Sequence, residues 1–167
     1  MDLRGVQRPL KERYREEPSA SRITLVARGE QGESPVACSV DLGRAIYEAQ
    51  AHAGVGGAGT AACSGDLLLG ALASCAQLTC QMVAASTNIP LRSVEVVVEG
   101  ELDLRGTLGI GDARVGFDDI RLRFEFDAPD ASVEQLEELR RKTERYCVVL
   151  QTLRQAPAIE PSVTRIG

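Results

Sequence analysis

Cysteine is the residue type in this sequence that could carry chemistry. The chain has five cysteines and one histidine. They are Cys38, Cys63, Cys75, Cys80, Cys147 and His52. No Cys-x-x-Cys pair occurs, and one histidine cannot complete a metal-binding cluster, so no metal site is predicted. The remaining possibilities are reactive thiols and small buried hydrophobic residues.

Cys75 and Cys147 each occupy a core-facing position of a predicted helix. A buried cysteine is most often an inert hydrophobic residue, and a redox-active thiol is the alternative. Cys75 lies too far into its helix for the dipole to lower its pKa, so a reactive thiolate would need a nearby cation such as arginine. Cys80 points about 140° away from Cys75 around the helix and is not expected to share its site. Cys63, just before the helix, is a candidate exposed thiol.

The segment Gly54–Gly59 matches the pattern G-x-G-x-x-G. In a dinucleotide-binding site this pattern joins a buried parallel strand to a helix, with an acidic residue about 20 positions later. Residues 48–53 do not read as a buried strand, and the acidic position falls within an apolar helix. We therefore interpret the segment as a connecting loop, with His52 beside it as a surface residue, and predict no cofactor.

Hydrophobic patterning predicts an α+β fold with antiparallel pairing, because strands and helices do not alternate as repeated βαβ units. One predicted helix, Ser64–Ser86, is apolar all round, which indicates burial on all sides in a dimer core or inside a sheet. The predicted order is a hairpin of strands 22–27 and 36–40, a strand over 45–50, the helix 64–86, strands 94–104 and 120–126, an amphipathic helix from Ser132 to about residue 156, and a short strand over 162–166.

Length and charge narrow the class of protein further. The 167 residues fit a polar N-terminal arm over 1–20 and one domain over 21–167. The net charge of −5 argues against binding nucleic acid or an anionic membrane. The longest apolar run, residues 67–76, is too short to span a bilayer. Residues 1–17 lack the apolar segment of a secretory signal, so we expect a cytoplasmic protein without a disulfide framework.

Two segments carry a family resemblance. Ser64–Cys75 resembles the central helix of the OsmC/Ohr family of osmotically inducible and organic hydroperoxide resistance proteins, and Glu144–Leu153 resembles the helix with that family's second cysteine. The resemblance extends over about residues 20–166 and agrees with the predicted order of elements. It implies an OsmC-like fold in which antiparallel sheets wrap buried central helices in an intertwined homodimer.

The resemblance also implies an activity, because active members of the family are cysteine-based peroxidases that reduce organic hydroperoxides during oxidative stress. Cys75 then corresponds to the peroxidatic cysteine, which is oxidised to a sulfenic acid, and Cys147 to the resolving cysteine, which forms a disulfide with it. A dithiol reductant, in the family often a lipoylated protein, restores both thiols. Sulfur performs the redox chemistry, so neither a cofactor nor a metal is implied.

Two positions depart from the family pattern. Gly65 stands where many members have a glutamate that holds an activating arginine, and the neighbouring Asp66 is the candidate replacement. Val148 replaces the proline after the second cysteine, which predicts the loss of a kink. The activating arginine is expected to be Arg28, with Arg44 as the alternative and an ordinary turn residue as the competing interpretation of each.

These departures keep a second function open. The alternative is a non-catalytic OsmC-like dimer that binds an apolar small molecule, with both cysteines buried and structural.

Overall fold

The computed structural model of the chain describes residues 3–22, 24, 28–31, 37–41 and 46–166. The helices are α1 (Leu3–Glu16), α2 (Ser64–Thr87), the single turn α3 (Leu104–Thr107), α4 (Val133–Tyr146) and α5 (Val148–Arg154). The strands are β1 (Arg28–Gln31), β2 (Ala37–Asp41), β3 (Ile46–Gln50), β4 (Ser93–Leu102) and β5 (Phe117–Asp127). All strand pairs are antiparallel, which confirms the predicted α+β class.

The first sheet has the strand order β1-β2-β3. Within it, Cys38 of β2 pairs with Ala49 of β3. The predicted strand over 45–50 is confirmed as β3. β1 and β2 form a hairpin, and β2 confirms the predicted strand over 36–40. The predicted strand over 22–27 is not confirmed, because β1 begins at Arg28, Arg22 and Thr24 are in no strand, and residues 23 and 25–27 lie outside the described residues.

The second sheet pairs β4 with β5 and forms one wall of the core. Val96 lies opposite Phe124 and Val98 opposite Leu122, so these side chains share one face. This face packs against α2, because successive side chains of a strand point to opposite sides and these four therefore lie together. Val97, opposite Arg123, lies on the other face. The predicted strands over 94–104 and 120–126 are therefore confirmed, with β5 beginning slightly earlier.

α2 is the central helix of the fold. Its N-cap is Cys63 rather than the predicted Ser64, and it ends at Asn88, whose φ of 55° is left-handed. Within one chain α2 is buried on one face. The predicted burial on all sides, in a dimer core or inside a sheet, is not tested by a single chain and stays a prediction. The buried residues are Leu72, Ala76, Thr79, Cys80, Val83 and Ala84.

By its length and mean hydropathy α2 could cross a membrane. The uninterrupted apolar run within it, residues 67–76, is by itself shorter than a bilayer requires. The core helix of a globular domain meets the same criterion. α2 packs against β4, α4 and α5, as the core helix of a globular domain does.

The C-terminal region differs from the sequence prediction in two ways. The predicted amphipathic helix is two helices, α4 and α5, divided at Cys147. The predicted strand over 162–166 is wrong, because this segment pairs with no strand among the described residues and its apolar side chains are exposed. Val163, for example, is 98% exposed.

Candidate active site: the Cys75 and Cys147 thiols

Two elements that are distant in sequence bring Cys75 and Cys147 together. Cys75 lies in the middle of α2, and Cys147 lies at the junction of α4 and α5. Cys75 packs against the cluster that holds Cys147, and each thiol shifts the pKa of the other. Cys147 is 0% exposed in an apolar cluster with Leu72, Ala76 and Leu150, whereas Cys75 is partly exposed at its edge. This contact links a buried thiol to an accessible one.

The chain leaves helical geometry at Cys147, whose ψ is 107°. Its N–H donates to the carbonyl of Thr143 at 2.9 Å and so closes α4, and its carbonyl accepts the N–H of Gln151 at 3.0 Å and so opens α5. The prediction that Val148 removes a kink is therefore wrong. A break persists without proline because other hydrogen bonds support it.

The first turn of α5 faces the two sulfur atoms. The first N–H groups of any helix lack a partner within the helix. Here the N–H groups of Val149 and Val148 lower the pKa of Cys75, and that of Leu150 acts in the same direction on Cys147. The thiol pair therefore receives hydrogen bonds that a continuous helix would have used internally.

The environment of Cys75 favours its thiolate. Burial raises the pKa of the Cys75 thiol, but hydrogen bonds outweigh burial and the net pKa lies below the ordinary value. In order of effect the donors are the N–H of Val149, the thiol of Cys147, the hydroxyl of Thr79 and the N–H of Val148. Among the described residues, these neutral donors perform the task for which the sequence predicted an arginine.

The environment of Cys147 has the opposite effect. Burial raises the pKa of Cys147, and the neighbouring Cys75 raises it further, although the N–H groups of Leu150 and Val149 partly oppose this. Cys75 is therefore the first of the pair to ionise, while Cys147 keeps its proton and donates it in the hydrogen bond between them.

Thr79 is a residue of the site that the sequence did not single out. It is 5% exposed, and its hydroxyl binds Cys75 Sγ. The signal was present, because residues four apart lie on the same face of a helix. Gln151, which donates from its side chain across the α4–α5 junction, had no comparable signal.

The other cysteines lie elsewhere. Cys80 is buried in a second apolar cluster with Val83 and Leu139, where burial raises its pKa despite a hydrogen bond with Thr143. Cys63 is at the start of α2, about 18 Å along the helix axis from Cys75. The side chain of Cys38 is outside the described part of the chain.

Asp66 caps α2. Its Oδ2 accepts the N–H of Cys63 at 2.9 Å. The backbone of Cys63 holds the pKa of Asp66 below its ordinary value, and the Cys63 thiol and the charge of His52 add to this. Asp66 lies about 13 Å along the helix from Cys75 and is not among the groups that contact its thiol.

The arginine candidates are not placed at the thiols. Arg28 lies in β1 with its backbone opposite Asp41, and its side chain is outside the described residues. Arg44 lies outside them altogether. The roles of both arginines, and that of Asp66, remain predictions.

The glycine-rich segment is a connection between β3 and α2. It contains a short 3₁₀ turn over Ala53–Val55, and the Nδ1 of exposed His52 accepts the N–H of Gly54 at 3.0 Å. β3 belongs to an antiparallel sheet, so the strand–turn–helix arrangement of a dinucleotide site is not met. Among the described residues, no group of three or more His, Cys, Asp or Glu side chains could hold a metal.

Two surface grooves lie near the helices, but neither is lined by Cys75 or Cys147. One, of about 630 Å³, lies between Gln77 and the β4–β5 sheet. The other, of about 450 Å³, lies on the outer side of the α4–α5 junction and includes Tyr146 and Val148. A substrate cavity at the thiols is therefore not formed by these grooves of a single chain.

Solved structures share this fold. An OsmC-like protein from Mycoplasma pneumoniae is 17% identical, with a TM-score of 0.66 over 80% of this chain and 89% of that one. An organic hydroperoxide resistance protein OsmC from Legionella pneumophila is 19% identical, with a TM-score of 0.62 over 81% and 92%. A putative organic hydroperoxide resistance protein from Vibrio cholerae, with captopril in one of its active sites, is 17% identical, with a TM-score of 0.61 over 81% and 88%. These likenesses establish the fold.

Sequence comparison establishes the family. No curated protein matches the chain significantly. Residues 57–162, which include both cysteines of the site, match the family model described as OsmC-like protein. This match covers more than half of the 167 residues, and the chain therefore belongs to the OsmC-like protein family.

Proposed function

We propose that this protein is a thiol-dependent peroxidase that reduces organic hydroperoxides to alcohols, with Cys75 as the peroxidatic and Cys147 as the resolving cysteine. The observation that carries the proposal is the packing of Cys75 against the buried cluster that contains Cys147, combined with a Cys75 pKa below the ordinary value. Family membership and the organic hydroperoxide resistance proteins among the structural neighbours support it.

The proposed reaction has two oxidative steps. The Cys75 thiolate attacks the terminal oxygen of the hydroperoxide, the O–O bond breaks, and the alkoxide takes a proton and leaves as an alcohol. Cys75 is then a sulfenic acid. The Cys147 sulfur attacks it, an S–S bond forms, and water leaves. A dithiol reductant, for which a lipoylated protein is the proposed source, reduces the disulfide and becomes a disulfide itself.

The pKa difference between the thiols suits these roles. Nucleophilic attack on the peroxide needs a thiolate, which Cys75 provides at lower pH than Cys147. Because Cys75 packs against the cluster that contains Cys147, the two residues are neighbours, as the formation of a disulfide requires.

We further propose that the working form is a homodimer joined along α2. The exposed apolar face of α2 repeats at spacings of three and four, the pattern of a helix–helix interface. Its members are Leu68, Ala71, Leu78, Met82 and Ala85, with Cys75 in the same series. A second copy packed on this seam would cover Cys75 with apolar side chains and so enclose the thiol site. Such a site favours an organic tail over hydrogen peroxide.

Single turnover tests the proposal. Reduced protein is treated with one equivalent of cumene hydroperoxide, and disulfides are mapped by mass spectrometry. We expect a Cys75–Cys147 disulfide within seconds, its absence in Cys75→Ser, and its undiminished formation in Cys63→Ser. Cumyl alcohol should appear in equal amount, and hydrogen peroxide should react more slowly.

The opposite result has a defined meaning. If both thiols stay reduced, or if oxidation is confined to Cys38 or Cys63, the peroxidase proposal fails. The alternative of a non-catalytic dimer that binds an apolar small molecule, favoured by the complete burial of Cys147, would then be preferred.

A further inference from the structure

At the break between α4 and α5, a carbonyl that would accept a main-chain N–H in a continuous helix accepts a side-chain donor instead. In a continuous helix the N–H of Val148 would donate to the carbonyl of Glu144, four residues earlier. Instead that carbonyl accepts the side-chain Nε2 of Gln151 at 2.7 Å. The N–H of Val148 is released from this bond at the start of α5, and it is one of the groups that lower the pKa of Cys75.

A second contact holds the same junction. The carboxylate of Glu144 binds Arg154 Nη2 of α5 at 3.0 Å and also pairs with Arg140 of α4. The Glu144 side chain is 22% exposed, so this ion pair is partly shielded from water. Glu144 therefore contacts α5 through both its carbonyl and its carboxylate.

We propose that Gln151 is a positioning residue of the thiol site: its side-chain amide replaces a main-chain donor on Glu144, holds the helix open at Cys147, and so frees the N–H groups of Val148 and Val149 for Cys75. Glu144 is its partner, because its carbonyl accepts the Gln151 amide and its carboxylate binds Arg154. The inference deepens the proposed function and rests on it, because a thiolate matters only if Cys75 reacts.

The physical reason is competition for donors and acceptors. A buried carbonyl without a donor costs free energy, so the chain would otherwise close the helix through Cys147. Closure would return the N–H of Val148 to Glu144 and turn it away from Cys75. The Gln151 amide satisfies the carbonyl at no such cost.

The variant Gln151→Met tests the hydrogen bond between Gln151 and the Glu144 carbonyl without changing the charge of the protein. It keeps the length of the side chain and its helix propensity but removes the donor. The readout is the alkylation of Cys75 by iodoacetamide as a function of pH, measured by mass spectrometry on the reduced protein without any peroxide. We expect the midpoint to move to higher pH and the rate below it to fall about three- to tenfold, the equivalent of one hydrogen bond. Gln155→Met, at the exposed end of α5, is the matched control and should leave the profile unchanged.

For the variant Glu144→Gln, the direction in which the Cys75 alkylation midpoint moves distinguishes a positioning role from a simple effect of charge. Loss of a nearby negative charge would by itself favour the Cys75 thiolate and move the midpoint to lower pH. Loss of the ion pair to Arg154 loosens α5, so the positioning role predicts a move to higher pH. Glu137→Gln breaks the other ion pair of Arg140, at 3.0 Å, without touching α5, and should have no effect.

A folded Gln151→Met protein with an unchanged profile, or a Glu144→Gln midpoint that moves to lower pH, would overturn the inference. Circular dichroism of each variant establishes that it is folded. Failure of the peroxidase proposal is separately visible, because the alkylation profile does not depend on turnover. A shift in the alkylation profile without a peroxide-induced disulfide would refute the peroxidase proposal but support the positioning role of Gln151.

Discussion

The ring of Phe117 lies directly against Gly65: a Cβ atom built on Gly65 would be 3.3 Å from Phe117 Cζ. The same ring also fills the space beside Gly100 of β4. A side chain at residue 65 would therefore require the Phe117 ring to shift by a few tenths of an ångström. The absence of a side chain at Gly65 suits this close packing of α2 against the sheet.

Introducing a glutamate at this position should destabilise the protein. We expect Gly65→Glu to lower the free energy of unfolding by about 1–2 kcal/mol relative to Gly70→Glu, because Phe117 must shift. Gly70 lies on the same helix, and a Cβ atom built on it would meet no side chain within 4 Å. The helix dipole alone predicts the reverse order, since a carboxylate is favoured in the first turn. Urea denaturation of both variants shows whether the contact with Phe117 or the interaction with the helix dipole has the larger effect on stability.

The Cys147 thiol should control the ionisation of Cys75. Cys147→Ala removes a donor and is expected to raise the pKa of Cys75, so that alkylation of Cys75 begins at higher pH. Cys147→Ser keeps a hydroxyl donor and should lie between the alanine variant and the unsubstituted protein. The measurement is the pH profile of iodoacetamide labelling. A profile that moves to lower pH in Cys147→Ala would refute the assignment of donor and acceptor.

Thr79 should act on the same thiol from within α2. Thr79→Val preserves the shape of the side chain but removes the hydroxyl, and we expect the pKa of Cys75 to rise and its alkylation near neutral pH to slow about three- to tenfold. Thr143→Val is the control, because the Thr143 hydroxyl donates to the carbonyl of Leu139 at 2.8 Å and contacts Cys80 instead. Equal effects of both variants would point to general loosening.

Asp66 should stabilise α2 in a pH-dependent way. Its pKa is lowered in the folded state, so its contribution is fully present above the ordinary pKa of about 3.9 and is lost as pH falls through the folded value. We expect Asp66→Ala to cost about 1 kcal/mol at pH 7 and progressively less in acid. Denaturation at several pH values tests this. A change in Cys75 alkylation would instead favour the catalytic role proposed from the sequence.

The apolar seam of α2 should mediate self-association. Leu78 is 60% exposed in one chain, so Leu78→Glu costs the isolated chain little but places a charge in the proposed dimer interface. Sedimentation velocity should show a monomer for Leu78→Glu and a dimer for the control Gln81→Glu, which lies on the exposed polar side of α2. If the unsubstituted protein sediments as a monomer, the dimer proposal is wrong.

Local elements could be read from the sequence because they depend on neighbours along the chain. The alternation of Ile120, Leu122, Phe124 and Phe126 predicted β5, and Ser132 predicted the start of α4. The predicted helix Ser64–Ser86 agrees with α2 to within one residue. Each signal depends on hydrogen bonds or periodicity within a few residues.

The sequence by itself therefore determined the α+β class, the bounds of the central helix and, through two matching segments, the family and the cysteines worth pairing. Tertiary structure decided how those cysteines meet. The break at Cys147, the release of the Val148 N–H and the hydroxyl contact of Thr79 depend on α5 packing against the middle of α2. Which face of α2 packs against the sheet of its own chain was likewise invisible in its composition. Donors and burial arise where distant segments contact each other, and periodicity along one segment carries no record of what it packs against.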